Sequence, residues 1–408
     1  MGYLKSLVIE QLEKGYQFME EKYVCHYCFE DYAVKAFIKN NSVRNHCDYC
    51  RRTSRRPIAA FMTDVLDFIM EGVNTEWDDP VNCVGWEGGW VGAEVYDSYD
   101  MIHDDMWELG IQEETLKADL LEAFSHRQWC EIDPYGLRLH EELYYDWERF
   151  CKQIKHQVRF VFFRIPKSRL RSYSLEDRKN PFKILYDLGE ITKDLGLIKM
   201  IPVGTEVFRC RTHKKTEKLR TVQELGPPLP EEAKYSNRMS PAGIPMFYGS
   251  QDGKTAIAET LTRNEKSKTH VTIAKFRTVK AFKVLDLTKL PEVPSLFDDS
   301  KRHLRPPIMF LHSFLRDFSK PIKKDGREHY EYAPTQVVTE YFRHIFRDDL
   351  RDAIKGIVYP SSATSSKSYV LFFQQKNCIQ DDESMDGNKW LSMDTSSVKT
   401  KSINKLKY

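Results

Sequence analysis

The sequence lacks several features that would assign a chain to a familiar class of protein. No run approaches the ~18 consecutive apolar residues of a membrane-spanning helix. The N-terminus has neither a long apolar run nor a small-residue cleavage site, so we expect no signal peptide and no membrane partner. An excess of one charge is also lacking, since 62 Lys and Arg residues nearly balance 60 Asp and Glu residues. This balance argues against a dedicated duplex-DNA coat and against an acidic disordered tail.

Cysteine is sparse, and more than half of it follows no pattern. The 408 residues include nine cysteines, an odd number. The scattered ones are Cys83, Cys130, Cys151, Cys210 and Cys378. An odd and scattered set is typical of a reducing compartment, where disulfides do not persist. We therefore expect a cytoplasmic protein.

The other four cysteines form two CxxC pairs, Cys25 with Cys28 and Cys47 with Cys50. The spacing C-x2-C-x18-C-x2-C lies within the window typical of structural zinc sites. Four thiolates complete a tetrahedron around zinc and leave no open position for water. The pattern therefore predicts a structural zinc ribbon, with the neighbouring histidines as less well-spaced alternative ligands.

A cluster of arginines directly follows the last of these cysteines: Arg51, Arg52, Arg55 and Arg56. Zinc ribbons often use such a cluster to track phosphates, so nucleic acid is a candidate partner. No aromatic residue is interleaved for base stacking, and a solvated face is the simpler interpretation.

Composition and periodicity divide the chain into four segments. Their predicted boundaries are 1–55, 56–195, 196–380 and 381–408. The first holds the cysteine pairs and an amphipathic helix from Tyr3 to about Lys22, and the second is mostly helical, starting with a core-type helix at Pro57. The third mixes short strands with unequal helices and lacks a βαβ rhythm, which indicates an α+β fold. The last is polar, and we predict a flexible tail.

Several residues of the third segment have side chains suited to chemistry. Arg209 and Arg211 lie two apart on a predicted strand and therefore share one face. Tyr248 ends another predicted strand, and Glu259 follows it on a short helix. A Tyr-Pro-Ser-Ser sequence ends a later strand. Each feature alone is compatible with a solvated charge or an ordinary turn, but their order and spacing together indicate a site.

In this order the residues resemble a RES domain, the family named for its Arg, Glu and Ser. The matching stretches are VFRCR, ELGPPLPEE, NRMSPAGIPMFYGSQDGKTAIAE, VLDLT, YAPTQVVTEYF, and GIVYPSS followed by SYVLFF. Residues 1–195 resemble the zinc-ribbon and HEPN-like helical region that is fused to this family. The resemblance implies a compact ADP-ribosyltransferase-like fold, with NAD as the substrate of a toxin that a cognate antitoxin silences.

The resemblance also assigns the functional groups of the family to positions in this chain. These are Arg209 or Arg211 for the family's Arg, Tyr248 for its Tyr, Glu259 for its Glu, Ser361 or the adjacent Ser362 for its Ser, Arg238 for a frequently basic position, and Gln336 for the polar start of a helix. The chain departs from a minimal member in a longer, more charged segment from Leu290 to Tyr332. Such a segment has the length to cover the pocket or to bind a partner.

NAD cleavage explains the need for these residue types. Breaking the nicotinamide–ribose bond develops an oxocarbenium-like ribose, which a fixed carboxylate at Glu259 stabilises. Arginine forks grip two oxygens of the diphosphate, which lysine cannot do. Tyr248 offers a flat face or a hydroxyl, and Ser361 holds the amide or a ribose hydroxyl. The GxGxxG pattern of dinucleotide-binding Rossmann folds is absent, which fits an enzyme that consumes NAD.

The sequence leaves the acceptor open. Water would make the protein a glycohydrolase, phosphate a phosphorylase, and a protein side chain an ADP-ribosyltransferase; we expect the form that depletes cellular NAD. An alternative is an RNA-directed protein with an inactive RES pocket, because HEPN-like helices often carry a ribonuclease motif, Arg-x4–6-His. Residues 56–195 lack this spacing, and Arg305 with His312 matches it only in the other domain. We therefore predict a sensor, regulatory or oligomerisation role for the helical segment, with an antitoxin, another regulator or a second copy as partner.

Overall fold

The chain forms two compact units in a computed structural model. The structure describes residues 14–17, 19–124, 127–159, 182–261, 267–320, 326–364, 366–381, 383 and 387–406. Unit 1 comprises the chain up to Glu142 together with Glu292–Met309. Unit 2 comprises Leu143–Pro291 and the chain from Phe310 onward. Helices and strands occur in both units, so the predicted α+β class is confirmed.

Most of the helices in the described residues are short. In chain order they are α1 (Tyr32–Asn40), α2 (Met62–Val73), α3 (Pro80–Cys83), α4 (Ser98–His103), α5 (Glu114–Ala123), α6 (Leu139–His156), α7 (Lys183–Asp194), α8 (Val222–Leu225), α9 (Gly253–Leu261), α10 (Arg305–Ser319), α11 (Glu328–Glu331) and α12 (Ala333–Glu340). A π-helical turn, Tyr341–Ile345, continues α12. Over the ranges that the structure describes, no helix is both long enough and apolar enough to cross a membrane.

Unit 1 contains small sheets around an aromatic core. Its strands are β1 (Tyr23–Cys25), β2 (Ala59–Phe61), β3 (Trp77–Asp78), β4 (Gly85–Trp86), β5 (Trp90–Val91), β6 (Tyr96–Asp97) and β7 (Gln128–Glu131). Trp107, Phe124 and Trp129 are buried and pack edge to face, with ring centroids 5.0–5.7 Å apart. Such pairs add stability beyond the area that they bury, so these rings anchor the unit.

Two sequence predictions for unit 1 need correction. The helix predicted to start at Pro57 starts at Met62, because residues 59–61 pair with β1 as strand β2. Of the helix predicted from Tyr3 to Lys22, residues 3–13 lie outside the described residues. From Gly15 to Lys22 the described residues are not helical, and Gly15 has a φ of +76°, a conformation that does not continue a right-handed helix.

The segment predicted to be an insertion in the C-terminal domain contributes to the core of unit 1. Leu296 and Phe297 are buried there, and the ring of Phe297 packs against Gly72 of α2. A Cβ at Gly72 would lie 2.5 Å from Phe297 Cδ1, which is closer than two carbons approach. Because Gly72 has no side chain, Phe297 can pack against α2 in this core.

Unit 2 is built on a nine-stranded sheet of described residues. Its strands are β8 (Ile198–Ile201), β9 (Glu206–His213), β10 (Phe247–Ser250), β11 (His270–Thr278), β12 (Phe282–Asp286), β13 (Gly356–Pro360), β14 (Lys367–Leu371), β15 (Cys378–Gln380) and β16 (Leu391–Ser402). Their order across the sheet is β15-β16-β11-β9-β10-β14-β13-β12-β8. Most neighbours are antiparallel, while β12 with β13 and β15 with β16 are parallel.

Alternation along the strands supplies two apolar cores. Ile357 and Tyr359 pack with residues of α6, α7, α10 and α12, whereas Val358 between them packs with Val207, Phe247 and other residues of a second cluster. Successive strand residues point to opposite faces, so one strand feeds both clusters. The sheet is therefore covered on both faces.

The polar tail predicted from residue 381 contains a strand instead. β16 pairs antiparallel with β11 over Leu391–Ser402, and Leu391 and Met393 are fully buried. Backbone hydrogen bonds to β11 fix this segment although its side chains are mostly polar. The composition of this segment did not predict the strand, because its apolar content is low. Pairing with β11 and the burial of two side chains are nevertheless enough to order it.

Gly249 places β10 close against β9, and its substitution tests this contact. A Cβ there would lie 2.4 Å from Val207 Cγ1 and 3.1 Å from Phe208 O. We expect Gly249→Ala to lower the free energy of unfolding by ~1–3 kcal/mol, measured by urea denaturation, because the strands must separate. Gly89→Ala is the control, since its Cβ would meet nothing within 4 Å. Equal stabilities of the two variants would contradict this packing.

Candidate functional site

A cavity of about 490 Å³ opens in unit 2 beside β9, β10 and α9. The predicted site residues that line it are Arg209, Arg211, Tyr248 and Glu259. Ser240, Glu232 and Ser368 line it too, and sequence reasoning did not select them. The volume suits a ligand the size of a nucleotide or larger. A carboxylate and two guanidinium groups thus share one hollow.

Serine hydroxyls hold the Glu259 carboxylate in place. Ser361 Oγ donates to Glu259 Oε1 at 2.5 Å, and Ser368 Oγ donates to the same oxygen at 3.3 Å. Ser361 Oγ in turn accepts from the main-chain N–H groups of Ala363 and Thr364, at 3.2 and 3.3 Å. Both hydroxyls therefore fix the direction in which the carboxylate points. Ser361 is buried behind Glu259 and acts on it directly, without lining the cavity.

Asp252 ties the start of α9 to the loop that carries Ser361. Its carboxylate accepts from Thr255 N at 2.9 Å, from Thr255 Oγ1 at 2.8 Å and from Ser366 Oγ at 2.6 Å. Thr255 Oγ1 also lies 2.9 Å from Thr364 Oγ1. These hydrogen bonds outweigh burial and lower the pKa of Asp252. In the sequence, Asp252 begins the pattern Asp-Gly-Lys-Thr, which is typical of a helix start. Ordinary helices begin in the same way, so this pattern alone does not indicate a role in the site.

Arg209 is engaged by the main chain. Its Nε donates to Leu225 O at 2.8 Å, Nη1 to Tyr248 O at 2.6 Å and Nη2 to Gly226 O at 3.3 Å. The guanidinium lies 5.3 Å from the centre of the Phe247 ring. Burial and the neighbouring positive charge lower the pKa of Arg209 to about 10, which still leaves it cationic at neutral pH. Arg209 therefore fixes the cavity wall.

Arg211 makes fewer contacts with the protein. Within the described residues its one hydrogen bond runs from Nη2 to Gly226 O at 3.2 Å. Burial lowers the pKa of Arg211, and the carboxylates of Glu232 and Glu224 oppose this change. Both arginines line the cavity, as their spacing on a strand predicts. Arg211 presents more of its fork to a ligand than Arg209 does.

Tyr248 contributes a hydroxyl that is already oriented. Its OH lies 2.9 Å from Ser240 Oγ, and both side chains line the cavity. Tyr248 is on β10, paired with Val370 of β14, so the ring position is set by the sheet. A hydroxyl pair of this kind can donate to or accept from a sugar hydroxyl or an amide.

Besides Ser361, which contacts Glu259 from outside the lining, three predicted site residues lie outside this cavity. Arg238 donates Nη1 to Phe318 O at 3.1 Å and lines a separate cavity. Gln336 is buried and donates Nε2 to Asn237 O at 2.8 Å, and Ser362 is exposed. Arg238 and Ser362 lie in loops, where side chains lack the fixed alternation of a strand. Their sequence positions therefore did not determine which way they point.

The four paired cysteines meet in unit 1. Their sulfur atoms lie within 4.8 Å of one another, and three of the cysteines are fully buried. Cys25 Sγ lies 3.4 Å from Cys50 Sγ and 3.8 Å from Cys28 Sγ, while Cys28 and Cys47 are 3.6 Å apart. A tetrahedron with metal–sulfur bonds of ~2.3 Å has sulfur–sulfur edges of about 3.8 Å. The cluster fits one tetrahedral metal ion without a histidine ligand.

The arginines that follow the cluster are exposed. Arg52 lies over the ring of Tyr27, with its guanidinium carbon 3.9 Å from the centroid. Arg44 similarly lies 4.8 Å from the centre of the Tyr23 ring. Each of these two tyrosine rings thus already has an arginine over one of its faces.

The residues with ribonuclease-like spacing have structural contacts. Arg305 is buried in unit 1, where Nη2 lies 3.1 Å from both carboxylate oxygens of Glu108. His312 belongs to unit 2, and its Nε2 lies 3.0 Å from Pro291 O. The two residues therefore belong to separate units, and their spacing in sequence carries no evidence for a shared ribonuclease site.

Comparison with known families finds a match in the N-terminal part of the chain and another in the C-terminal part. Residues 206–392 match the model of the RES domain, and residues 40–168 match HEPN/RES N-terminal domain 1. No curated protein and no solved structure gives a significant match. The chain is a RES-domain protein with an N-terminal HEPN/RES domain. RES domains are ADP-ribosyltransferase-like and act on NAD.

The sulfur geometry predicts a bound metal. We expect elemental analysis of the purified chain to find about one metal ion per molecule, because four thiolates fill a tetrahedral shell. The double substitution Cys25→Ser with Cys28→Ser should lose it. Cys83→Ser is the control, since Cys83 lies outside the cluster and its thiol donates to Asp78. Metal retained in the double variant would contradict the assignment.

Proposed function

We propose that this protein cleaves the nicotinamide–ribose bond of NAD. The observation that carries the proposal is the Glu259 carboxylate, held by two serine hydroxyls in the cavity that Arg209 and Arg211 also line. The family match supports NAD as the substrate. A fixed anion in the same cavity as fixed cations suits a substrate whose ribose becomes positive while its diphosphate stays negative.

The cavity residues supply binding and charge stabilisation. In the reaction the glycosidic C–N bond breaks and nicotinamide leaves with the electron pair as a neutral molecule, so no general acid is needed. Glu259 stabilises the cationic ribose that remains, and Ser361 keeps the carboxylate oriented. Arg211 grips the diphosphate, while Tyr248 and Ser240 hold a hydroxyl or the amide. The acceptor then bonds to the ribose carbon and releases its proton.

The same proposal covers the biological role and the metal. RES domains suggest a toxin-like function, and loss of NAD would make this chain a toxin or defence effector that needs a regulatory partner such as an antitoxin. We assign the metal of the cysteine cluster as zinc, because an all-thiolate tetrahedral shell favours zinc and closes it to substrate. The zinc would therefore stabilise unit 1 and take no part in the cleavage.

Substitution of the carboxylate tests the chemistry. We expect Glu259→Gln to reduce nicotinamide release from NAD by about 10²–10³-fold, because the amide is similar in shape but has no charge. Release is followed chromatographically, with phosphate and without it, so that the products distinguish a phosphorylase from a glycohydrolase. Glu122→Gln, an exposed change in unit 1, is the control. Equal turnover by wild type and Glu259→Gln would remove this residue from the mechanism.

The two arginines should respond differently to substitution by lysine. Arg211→Lys keeps the charge but loses the fork, so we expect KM for NAD to rise about tenfold with the melting temperature nearly unchanged. Arg209→Lys loses hydrogen bonds to three carbonyls, so we expect a lower melting temperature first. Steady-state kinetics and thermal denaturation of both variants make the comparison. The reverse pattern would identify Arg209 as the residue that grips the diphosphate.

A further inference from the structure

Charge in unit 1 is segregated along the chain, although the protein as a whole is nearly neutral. Residues 35–56 contain seven Lys and Arg residues and one acidic residue, Asp48. The next 60 residues, 57–116, contain 15 Asp and Glu residues and neither Lys nor Arg. Both stretches belong to unit 1. Segregation of this kind gives each stretch a strong potential, which attracts a surface of the opposite charge.

The acidic stretch carries an exposed aromatic surface on the β4–β5 hairpin. Trp86 and Trp90 pair across the hairpin, with ring centroids 4.8 Å apart. The Tyr135 hydroxyl accepts from Gly85 N at 3.1 Å and donates to Val91 O at 2.9 Å, so the loop after β7 is tied to the hairpin. Trp86 is 62% exposed, Tyr135 60% and Val91 44%. These three residues form what we call the hairpin surface, and exposed apolar groups gathered in this way mark an interaction site.

Carboxylates flank the hairpin surface. Glu87 follows Trp86 in the turn and is exposed. Asp133 is also exposed, and its carboxylate lies beside Tyr135, since a Cβ at Gly136 would meet Asp133 Oδ2 at 2.2 Å. Two hairpin surfaces placed face to face would bring like charges together, which disfavours a symmetric pair. The partner that fits combines positive charge with a group that stacks on aromatic rings, and arginine does both.

A surface of this chemistry is present in the basic stretch of unit 1. The ribbon arginines, as we call Arg51, Arg52, Arg55 and Arg56, are all exposed. Arg52 lies over the ring of Tyr27 in the same chain. In the part of the chain that the structure describes, none of the four has a carboxylate within ion-pair distance. Their charge is therefore available to a partner.

We propose that the hairpin surface of one molecule binds the ribbon arginines of a second copy of this chain. An arginine over an exposed aromatic ring gains a cation–π contact, and the flanking carboxylates pair with its guanidinium. Because the two surfaces differ, the contact is heterologous and joins molecules head to tail. The contact is small and charged, so we expect a micromolar dissociation constant that rises with salt. It uses no residue of the cavity of Glu259 and is independent of NAD cleavage.

Sedimentation velocity of the full-length protein tests this contact, over about 1–100 µM protein. We expect the mean sedimentation coefficient to rise with concentration at low salt and to stay at the monomer value in about 0.5 M salt. The hairpin variant, Trp86→Ala with Glu87→Lys, and the ribbon variant, Arg55→Glu with Arg56→Glu, should each weaken association by about tenfold or more. Tyr145→Ala is the matched control, since Tyr145 is an aromatic residue of α6 that is 58% exposed.

A mixture of the two double variants separates this contact from a symmetric one. The hairpin variant keeps its ribbon arginines and the ribbon variant keeps its hairpin surface, so we expect the two monomeric proteins to form a one-to-one complex. All the substituted residues are exposed or half-buried, and circular dichroism checks that both variants are folded. A wild-type protein that stays monomeric at low salt, or a mixture without a complex, would overturn the proposal. So would association that the ribbon variant retains while it loses binding to single-stranded RNA, which would assign the arginines to nucleic acid.

Discussion

The hydrogen bond between Ser361 and Glu259 is the contact on which the candidate site depends. It joins residues 102 positions apart in the chain and holds the carboxylate oxygen at 2.5 Å from the hydroxyl. A half-buried carboxylate loses part of its contact with water, and hydroxyl donors replace part of that loss. The donors also fix its direction, so charge is in place before any substrate binds. Ser368 donates to the same oxygen, so the two hydroxyls together set the direction of the Glu259 side chain.

The sheet explains how the chain can hold this geometry. β9, β10, β14 and β13 are consecutive neighbours, so the arginines, Tyr248 and the loop after β13 come to one region although they are far apart in sequence. β10 approaches β9 closely at Gly249, which sets the distance between these two strands. The hydrogen bonds of Asp252 to Thr255 and Ser366 set the position of the loop that carries Ser361 relative to α9. Arg209 adds a bond from β9 to the carbonyl of Tyr248. The Arg209 guanidinium therefore links two strands of the site, and its positive charge also contributes to the electrostatic potential in the cavity.

The sequence predicted those parts of the site that follow a regular period. Arg209 and Arg211 share one cavity because strand residues two apart face the same way, and Glu259 lies on the helix that the pattern indicated. The CxxC spacing likewise predicted a cluster that the sulfur positions match. In each case a local rule was sufficient, because the element itself orients the side chain.

Other parts could not be predicted because tertiary contacts decide them. The strand β16 exists through its pairing with β11, and composition alone indicated a flexible tail. The segment 292–309 contributes Leu296 and Phe297 to unit 1, a partnership that no local pattern reveals. Asp252 stands before α9, where a helix cap is common, and only its contact with Ser366 shows that it also holds the loop of Ser361. The periodicity of a sequence reflects local structure only, so it gives no information about long-range partners of this kind.

The turn at residues 237–240 illustrates how distant partners set the direction of a side chain. Asn237 N donates to Ser240 O at 2.8 Å, and Ser240 N donates back to Asn237 O at 3.3 Å, which makes the turn compact. Asn237 and Ser240 line the cavity of Glu259, whereas Arg238 between them lines a separate cavity. Thr335 and Gln336 fix the turn from α12 by donating to the carbonyls of Arg238 and Asn237. Because these hydrogen bonds fix the turn, they also fix Ser240, whose hydroxyl contacts the Tyr248 hydroxyl, and the position of Tyr248 in the site therefore depends on partners about a hundred residues away.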